Sequence, residues 1–299
     1  MNHVKTISDH SAPIQCVKVS RQYDLVASSS LDLTVKVYKL STFELLQTLT
    51  FATTPRSFDF SDSKLFVSNY DASVSIYNFD QEVNEFILVN KLENLTEKEI
   101  KSISANRTQF AICSRDRSVS IWNIDEVCIF HSKIHNQDVK SIDFDGQNLV
   151  STSYDNSIVF YQKIDGDFEV TNAINSTVQG DSIGPLDFVQ NNTIFCAKLL
   201  RNQRAISAGG DGCIRLYNNQ QQVACYQLSQ CALYSIGVSG DLVAICGEEG
   251  KLFVVQITEN INFQYEMLLN KGELNCVEVS DDMIFVGGDD GCVRVFQCQ

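Results

Sequence analysis

Short runs in which apolar and polar residues alternate recur along the whole chain, and they come in groups. Between 139 and 161 the pattern reads VKSIDF (139–144), LVSTS (149–153) and SIVFY (157–161), each run closed by a polar turn. Alternation with period two sends successive side chains to opposite faces and marks a half-buried strand. No segment carries the 3.6-residue stripe of a helix. The sequence therefore predicts an all-β protein, with a fourth, less regular strand after each group of three.

An acid precedes the third strand of each group. Aligned on it, the copies read SSLDLTVKVY (Asp32), SNYDASVSIY (Asp71), CSRDRSVSIW (Asp116), TSYDNSIVFY (Asp155), AGGDGCIRLY (Asp211), CGEEGKLFVV (Glu249) and GGDDGCVRVF (Asp290). The anchors lie 39, 45, 39, 56, 38 and 41 residues apart, mostly near the ~40–45-residue period of a four-stranded WD-repeat blade. The expected fold is a seven-bladed WD-repeat β-propeller occupying residues 1–299 as a single domain. The long separation places an insertion at about 176–191 (STVQGDSIGPLDFVQN) between blades four and five. The last copy finishes at VRVFQCQ, after its third strand. The alternation His3-Val4-Lys5-Thr6-Ile7 is predicted to supply the missing outer strand of blade seven, close the ring and cover an open edge.

At 299 residues the chain is near the size where one ordinary core stops growing, and repetition removes that limit. The net charge of −14 argues against a nucleic-acid partner. The N-terminal MNHVKTISDH lacks an apolar core, and no run approaches the ~18 apolar residues of a membrane span. The expectation is a protein with no membrane association, cytoplasmic and with access to the nucleus. Eleven Cys, an odd number with no C-x-x-C pair, read as free thiols, most of them small buried hydrophobes.

Asp116 in CSRDRSVSIW stands six residues before the only Trp, Trp122. Its equivalents recur around the ring without a nucleophile or base beside them, so it reads as structural rather than catalytic. In WD-repeat blades a His before the first strand, a hydroxyl on the second, the turn Asp and the aromatic of the third form a hydrogen-bonded chain. His10 with Asp32, and His135 with Asp155 and Tyr161, have the spacing for it, while Asp116 and Trp122 are the blade-three counterparts. Five blades lack the His and must rely on packing. Cys128, His131 and His135 in CIFHSKIH suggest a metal site, but 128 and 131 point to opposite faces of a strand and His135 has a use in its blade. No metal and no cofactor are expected. No G-x-S-x-G, Walker A, H-E-x-x-H or dinucleotide fingerprint appears, so no enzymatic activity is expected.

In a propeller, the acid turn and the connection before the first strand share one face. Residues just before the acid form one set there: Leu31, Tyr70, Arg115, Tyr154, Gly210, Glu248 and Asp289. Residues just inside the first strand form another: Gln15, Arg56, Lys101, Lys140, Phe195, Tyr234 and Asn275. Blades two to four thus offer Arg56, Lys101, Arg115 and Lys140 with Tyr70 and Tyr154 among them. Phe195 and Tyr234 follow, and Glu248, Glu273 and Asp289 make an acidic side. Arg and aromatic residues dominate binding hot spots, and an Arg fork matches a carboxylate. The set reads as a docking surface for an acidic peptide, one with an aromatic side chain. The alternative is a set of solvated rim charges paired with nearby acids.

CSRDRSVSIW with NIDE, HNQDVKSIDF and STSYDNSIVFYQKIDGDFEV resemble blades three and four of the cytosolic iron–sulfur protein assembly WD-repeat protein family. YDASVSIYNFDQEVNEF with PRSF resembles blade two of that family, TIFCAKLL blade five, ALYSIGV blade six and ELNCVEV blade seven, in blade order and at lower density. The resemblance implies a non-enzymatic adaptor in a targeting complex with a small acidic partner and a large helical-repeat scaffold. Such a complex delivers iron–sulfur clusters to client apoproteins, some recognised by an acidic, aromatic C-terminal tail. It also implies a functional role for the Arg before the blade-three Asp, which Arg115 matches. The competing readings are a receptor or scaffold of a ubiquitin ligase or signalling complex, and a hydrolase in the central cleft, which the absence of a nucleophile–base pair disfavours.

Overall fold

Seven short motifs of four strands repeat because a blade is the smallest unit whose two faces can both be buried by copies of itself. The computed structural model describes residues 1–175 and 193–298; the insertion expected at 176–191 falls outside the described residues. Seven four-stranded antiparallel sheets are formed. Blade four shows the pattern: Val139–Phe144 is the inner strand, followed outward by Asn148–Ser153, Ser157–Ile164 and Asp167–Asn175. Blade seven is assembled from both ends of the chain. Asn2–Ile7 pairs antiparallel with Val293–Gln297, outside Met283–Gly288 and Leu274–Ser280, so the expected N-terminal clasp is present.

Burial explains which strands were legible. Second strands such as Leu25–Ser30 and Gln109–Ser114 are buried almost throughout, because neighbouring blades cover both faces. Outer strands such as Leu45–Thr50 and Gln221–Gln227 are largely exposed, and their alternation is correspondingly weak. Each seam between adjacent blades holds its own apolar cluster, seven in all. Ile7, Ile14, Val26, Phe285 and Val295 fill the seam between blades seven and one. A fully buried Ile, Val or Phe contributes about 1.5–3 kcal/mol, so the ring is held by its seams.

The acid anchor has a local cause. The residue after it takes positive φ in every blade: Leu33, Ala72, Arg117, Asn156, Gly212, Gly250 and Gly291. In six blades the acid is Asp, whose carboxylate accepts the N–H two residues on, as in Thr34 to Asp32 at 3.0 Å and Ser118 to Asp116 at 2.9 Å. That bond closes the turn and compensates for the left-handed residue. In blade six Glu249 instead accepts from the Ser229 hydroxyl and pairs with Lys251. Gly212 is required outright, since a Cβ there would lie 2.1 Å from the Ser229 carbonyl oxygen.

Candidate functional site

The two sequence-selected sets of residues meet on one face because a backbone hydrogen bond joins them in every blade. The N–H of the residue before the acid donates to a carbonyl two positions ahead of the inner-strand residue: Leu31 to Pro13, Tyr70 to Thr54, Arg115 to Glu99, Tyr154 to Asp138, Gly210 to Thr193, Glu248 to Ala232 and Asp289 to Glu273, at 2.7–3.1 Å. The inner-strand residue is itself special. In every blade the pairing register slips at that position, at Gln15, Arg56, Lys101, Lys140, Phe195, Tyr234 and Asn275. A bulge leaves one residue unpaired and re-aims its side chain. These seven side chains accordingly line the mouth of the central channel, a cavity of about 150 Å³.

One layer deeper, three residues along each strand, the walls are tied to one another. Lys18 pairs with Glu278 at 3.1 Å and Lys198 with Asp143 at 2.7 Å, both across blade boundaries. Asp59 accepts the Ala105 N–H and Asp143 the Leu199 N–H, each on the next blade, both at 2.9 Å. These links fix the channel diameter.

The mouth is less evenly compensated. Glu99, buried on blade three, accepts hydrogen bonds from Lys101 and the Tyr70 hydroxyl, and lies 3.6 Å from the Arg115 guanidinium. Burial pushes its carboxyl up, yet Lys101, Tyr70 and the Arg56 charge outweigh burial and hold it below the usual range. Arg115 also reaches Asp138, at 3.7 Å, and its side chain is 51% exposed. It is a half-exposed rim charge held between two acids. Arg56 donates from Nη1 to Gln15 at 2.8 Å, while its buried Nε has no hydrogen-bond partner among the described residues. Lys140 donates to the Tyr154 hydroxyl at 3.2 Å and packs over the rings of Tyr154 and Phe195, at 4.8 and 5.4 Å from their centres. Burial, followed by the Arg56 charge, depresses its ammonium to about 8. The aromatic row runs on edge to face, with Phe195 6.0 Å from Tyr154 and 5.0 Å from Tyr234. On the opposite side, burial and the charges of Asp289 and Glu248 push the Glu273 carboxyl up. Tyr70 stands exposed at the rim. Glu99 and Asp138 escaped the sequence reading, although Glu99 stands two positions before the bulge residue Lys101.

The blade network is complete in blade four, whereas in blade one it runs from Ser28 through His10 to Asp32. In blade four the Tyr161 hydroxyl meets Ser151 at 3.2 Å, Ser151 donates to His135 Nε2 at 2.7 Å, and His135 Nδ1 donates to Ser157 and Asp155. In blade one, His10 Nδ1 donates to Asp32 at 2.7 Å and Nε2 accepts from Ser28 at 2.9 Å. Blade three differs from the expected chain. Asp116 accepts from the Glu97 N–H and from Ser118, but Trp122 donates to Ser120 at 2.8 Å and is not joined to Asp116. Thr96 occupies the place of the His and bonds the Lys98 carbonyl instead, so nothing bridges the two. Blades five and seven carry an unforeseen substitute: Arg215 grips Asp211 and Arg294 grips Asp290, each through two nitrogens from four residues ahead. Cys128 and His131 are exposed and His135 is committed to its network; among the described residues no three side chains are grouped to hold a metal ion.

With seven blades closed and the acid turns on one face, the architecture is that of a seven-bladed β-propeller. The WD domain, G-beta repeat model matches residues 1–39 and 126–162, the two stretches that contain His10 with Asp32 and His135 with Asp155. The crystal structure of the RRP9 WD40 repeats is similar, with a TM-score of 0.83 at 15% identity, covering 99% of this chain and 98% of that one. That likeness is one of fold. No curated protein matches significantly. The protein is a seven-bladed β-propeller in which two stretches match the WD repeat, and WD-repeat propellers generally serve as non-catalytic platforms for protein partners. Among the described residues no helix is long and apolar enough to cross a membrane.

Proposed function

We propose that this propeller is a non-enzymatic adaptor of cytosolic iron–sulfur protein assembly. In this reading it docks targeting-complex proteins, a small acidic partner and a large helical-repeat scaffold, together with client apoproteins. Arg115, Arg56, Lys101, Lys140, Tyr70, Tyr154, Phe195 and Tyr234 form the contact surface. The observation that carries the reading is the convergence on one face of four cations and a row of aromatic rings in a protein of net charge −14. An acidic chain bearing an aromatic side chain complements both halves of that face, electrostatics steering the encounter and ring contacts supplying affinity. The sequence resemblance of blades three and four supplies the particular complex.

Affinity purification from cytosolic extract tests it: the expected result is recovery of iron–sulfur assembly partners, and recovery of ubiquitin-ligase subunits alone would reject it. Because Arg115 stands between Glu99 and Asp138, Arg115→Gln is the clean site variant. It should lower capture at least ~10-fold, the scale of a hot-spot residue, with the thermal midpoint shifted by no more than ~1–2 °C. Undiminished capture would remove Arg115 from the surface.

A further inference from the structure

Four cations stand at the channel mouth, Arg56, Lys101, Arg115 and Lys140, and two carboxylates face them. Glu99 holds Lys101 and shares Arg115 with Asp138. Neither Arg56 nor Lys140 has an acidic partner within salt-bridge distance among the described residues, and the Nε of Arg56 is buried without an acceptor. On this side of the ring the count leaves two positive charges at a narrow mouth, with Glu248, Glu273 and Asp289 on the opposite side. Buried charge is ordinarily paired, because leaving it unpaired costs several kcal/mol. The cavity of about 150 Å³ has room for a small group but not for a folded element.

We infer that Arg56 and Lys140 form a binding site for a small phosphate-class oxyanion, held inside the channel mouth. Two uncompensated charges select a dianion over a monocarboxylate. A tetrahedral oxyanion can accept from the Arg56 guanidinium and the Lys140 ammonium together, and the bulges at both positions aim these groups inward. Tyr154 and Phe195 wall the Lys140 side. The depressed proton affinity of Lys140 fits an ammonium awaiting a counter-charge. Arg115 and Tyr70 remain on the rim for a peptide, so the inference goes beyond the adaptor reading and does not depend on it.

The test is thermal unfolding of the full chain at pH 7.5 in inorganic phosphate, against sodium chloride and sodium acetate at matched ionic strength. Phosphate should raise the midpoint by about 1–3 °C at tenfold excess over its dissociation constant, and chloride and acetate should not. Arg56→Gln and Lys140→Met should each abolish the difference. Lys140→Met replaces the stem with an apolar one suited to the aromatic walls, so a folded variant is expected. Calorimetric titration of phosphate into the same proteins gives a second readout. Equal stabilisation by all three salts, or a phosphate effect that survives both substitutions, overturns the inference. Partner capture that depends on Arg115 while phosphate has no effect would leave the adaptor reading intact and sink only this one.

Discussion

Lys140 and Tyr154 touch twice: the ammonium donates to the phenol oxygen at 3.2 Å and also lies 4.8 Å from the ring centre. The bulge on the inner strand and the acid turn between the second and third strands are thereby joined through side chains as well as through backbone. The contact holds a charge in a place that disfavours it.

Relieving that charge should stabilise the protein in phosphate-free buffer. The Lys140 ammonium is depressed from 10.5 to about 8, so between those values the unfolded chain binds more protons and stability rises with pH. Below pH 8 the penalty is fully present. Lys140→Met is expected to gain about 1–2 kcal/mol at pH 7, after allowance for solvent in the channel, and the gain should shrink toward pH 10. Denaturant midpoints across that range check it, and a pH-independent gain would refute the assignment.

The complete blade network should matter more than the partial one. Burial pushes the Asp155 carboxyl up, but His135, Ser157 and the Asn136 N–H outweigh it and bring it down to about 2. Its unfolded reference is 3.8, so the stability it confers, about 2 kcal/mol, is complete above that value and lost as pH falls toward 2. His135→Ala should cost about 2–3 kcal/mol, whereas Asp116→Ala, in a blade without the His, should cost about 1 kcal/mol. Chemical denaturation of the two variants decides, and equal losses would count against the network.

Left-handed turn positions should respond in opposite directions. Gly212→Ala drives a methyl into the Ser229 carbonyl at φ +72° and should cost more than about 2 kcal/mol. Leu33→Gly, at φ +66° on a partly exposed turn, should gain about 0.5 kcal/mol by releasing strain. Thermal midpoints moving the same way for both would contradict the turn assignment.

Deleting residues 1–7 strips the outer strand from blade seven and takes Ile7 out of its seam cluster. The expected outcome is loss of cooperative unfolding and association through the bared edge. Circular dichroism melts and size-exclusion chromatography report both.

Much of this was readable because repetition averages out local ambiguity. Period, blade number and the clasp followed from alternation and from the recurring acid. The face followed from topology, since residues before the acid and inside the inner strand are neighbours in every blade. What stayed hidden was pairing between side chains. Nothing in Glu99 announces that it holds Lys101, Tyr70 and Arg115 at once, because only Lys101 is near in sequence, while Arg115 comes from the acid turn and Tyr70 from a neighbouring blade. Trp122 looked like the partner of Asp116 by spacing, yet without a His nothing bridges them and Trp122 donates to Ser120 instead. The Arg215–Asp211 and Arg294–Asp290 grips lie in a repeated D-G-C-x-R, a spacing that an ordinary glycine turn also explains.

The pairing of Asn2–Ile7 with Val293–Gln297 also sets an order of events during synthesis. Asn2–Ile7 leaves the ribosome long before its permanent neighbour, Val293–Gln297, is made. Six blades can assemble as the chain emerges, but the disc stays open, with two bare edges exposed to chaperones or to other nascent chains, until Val293–Gln297 is released.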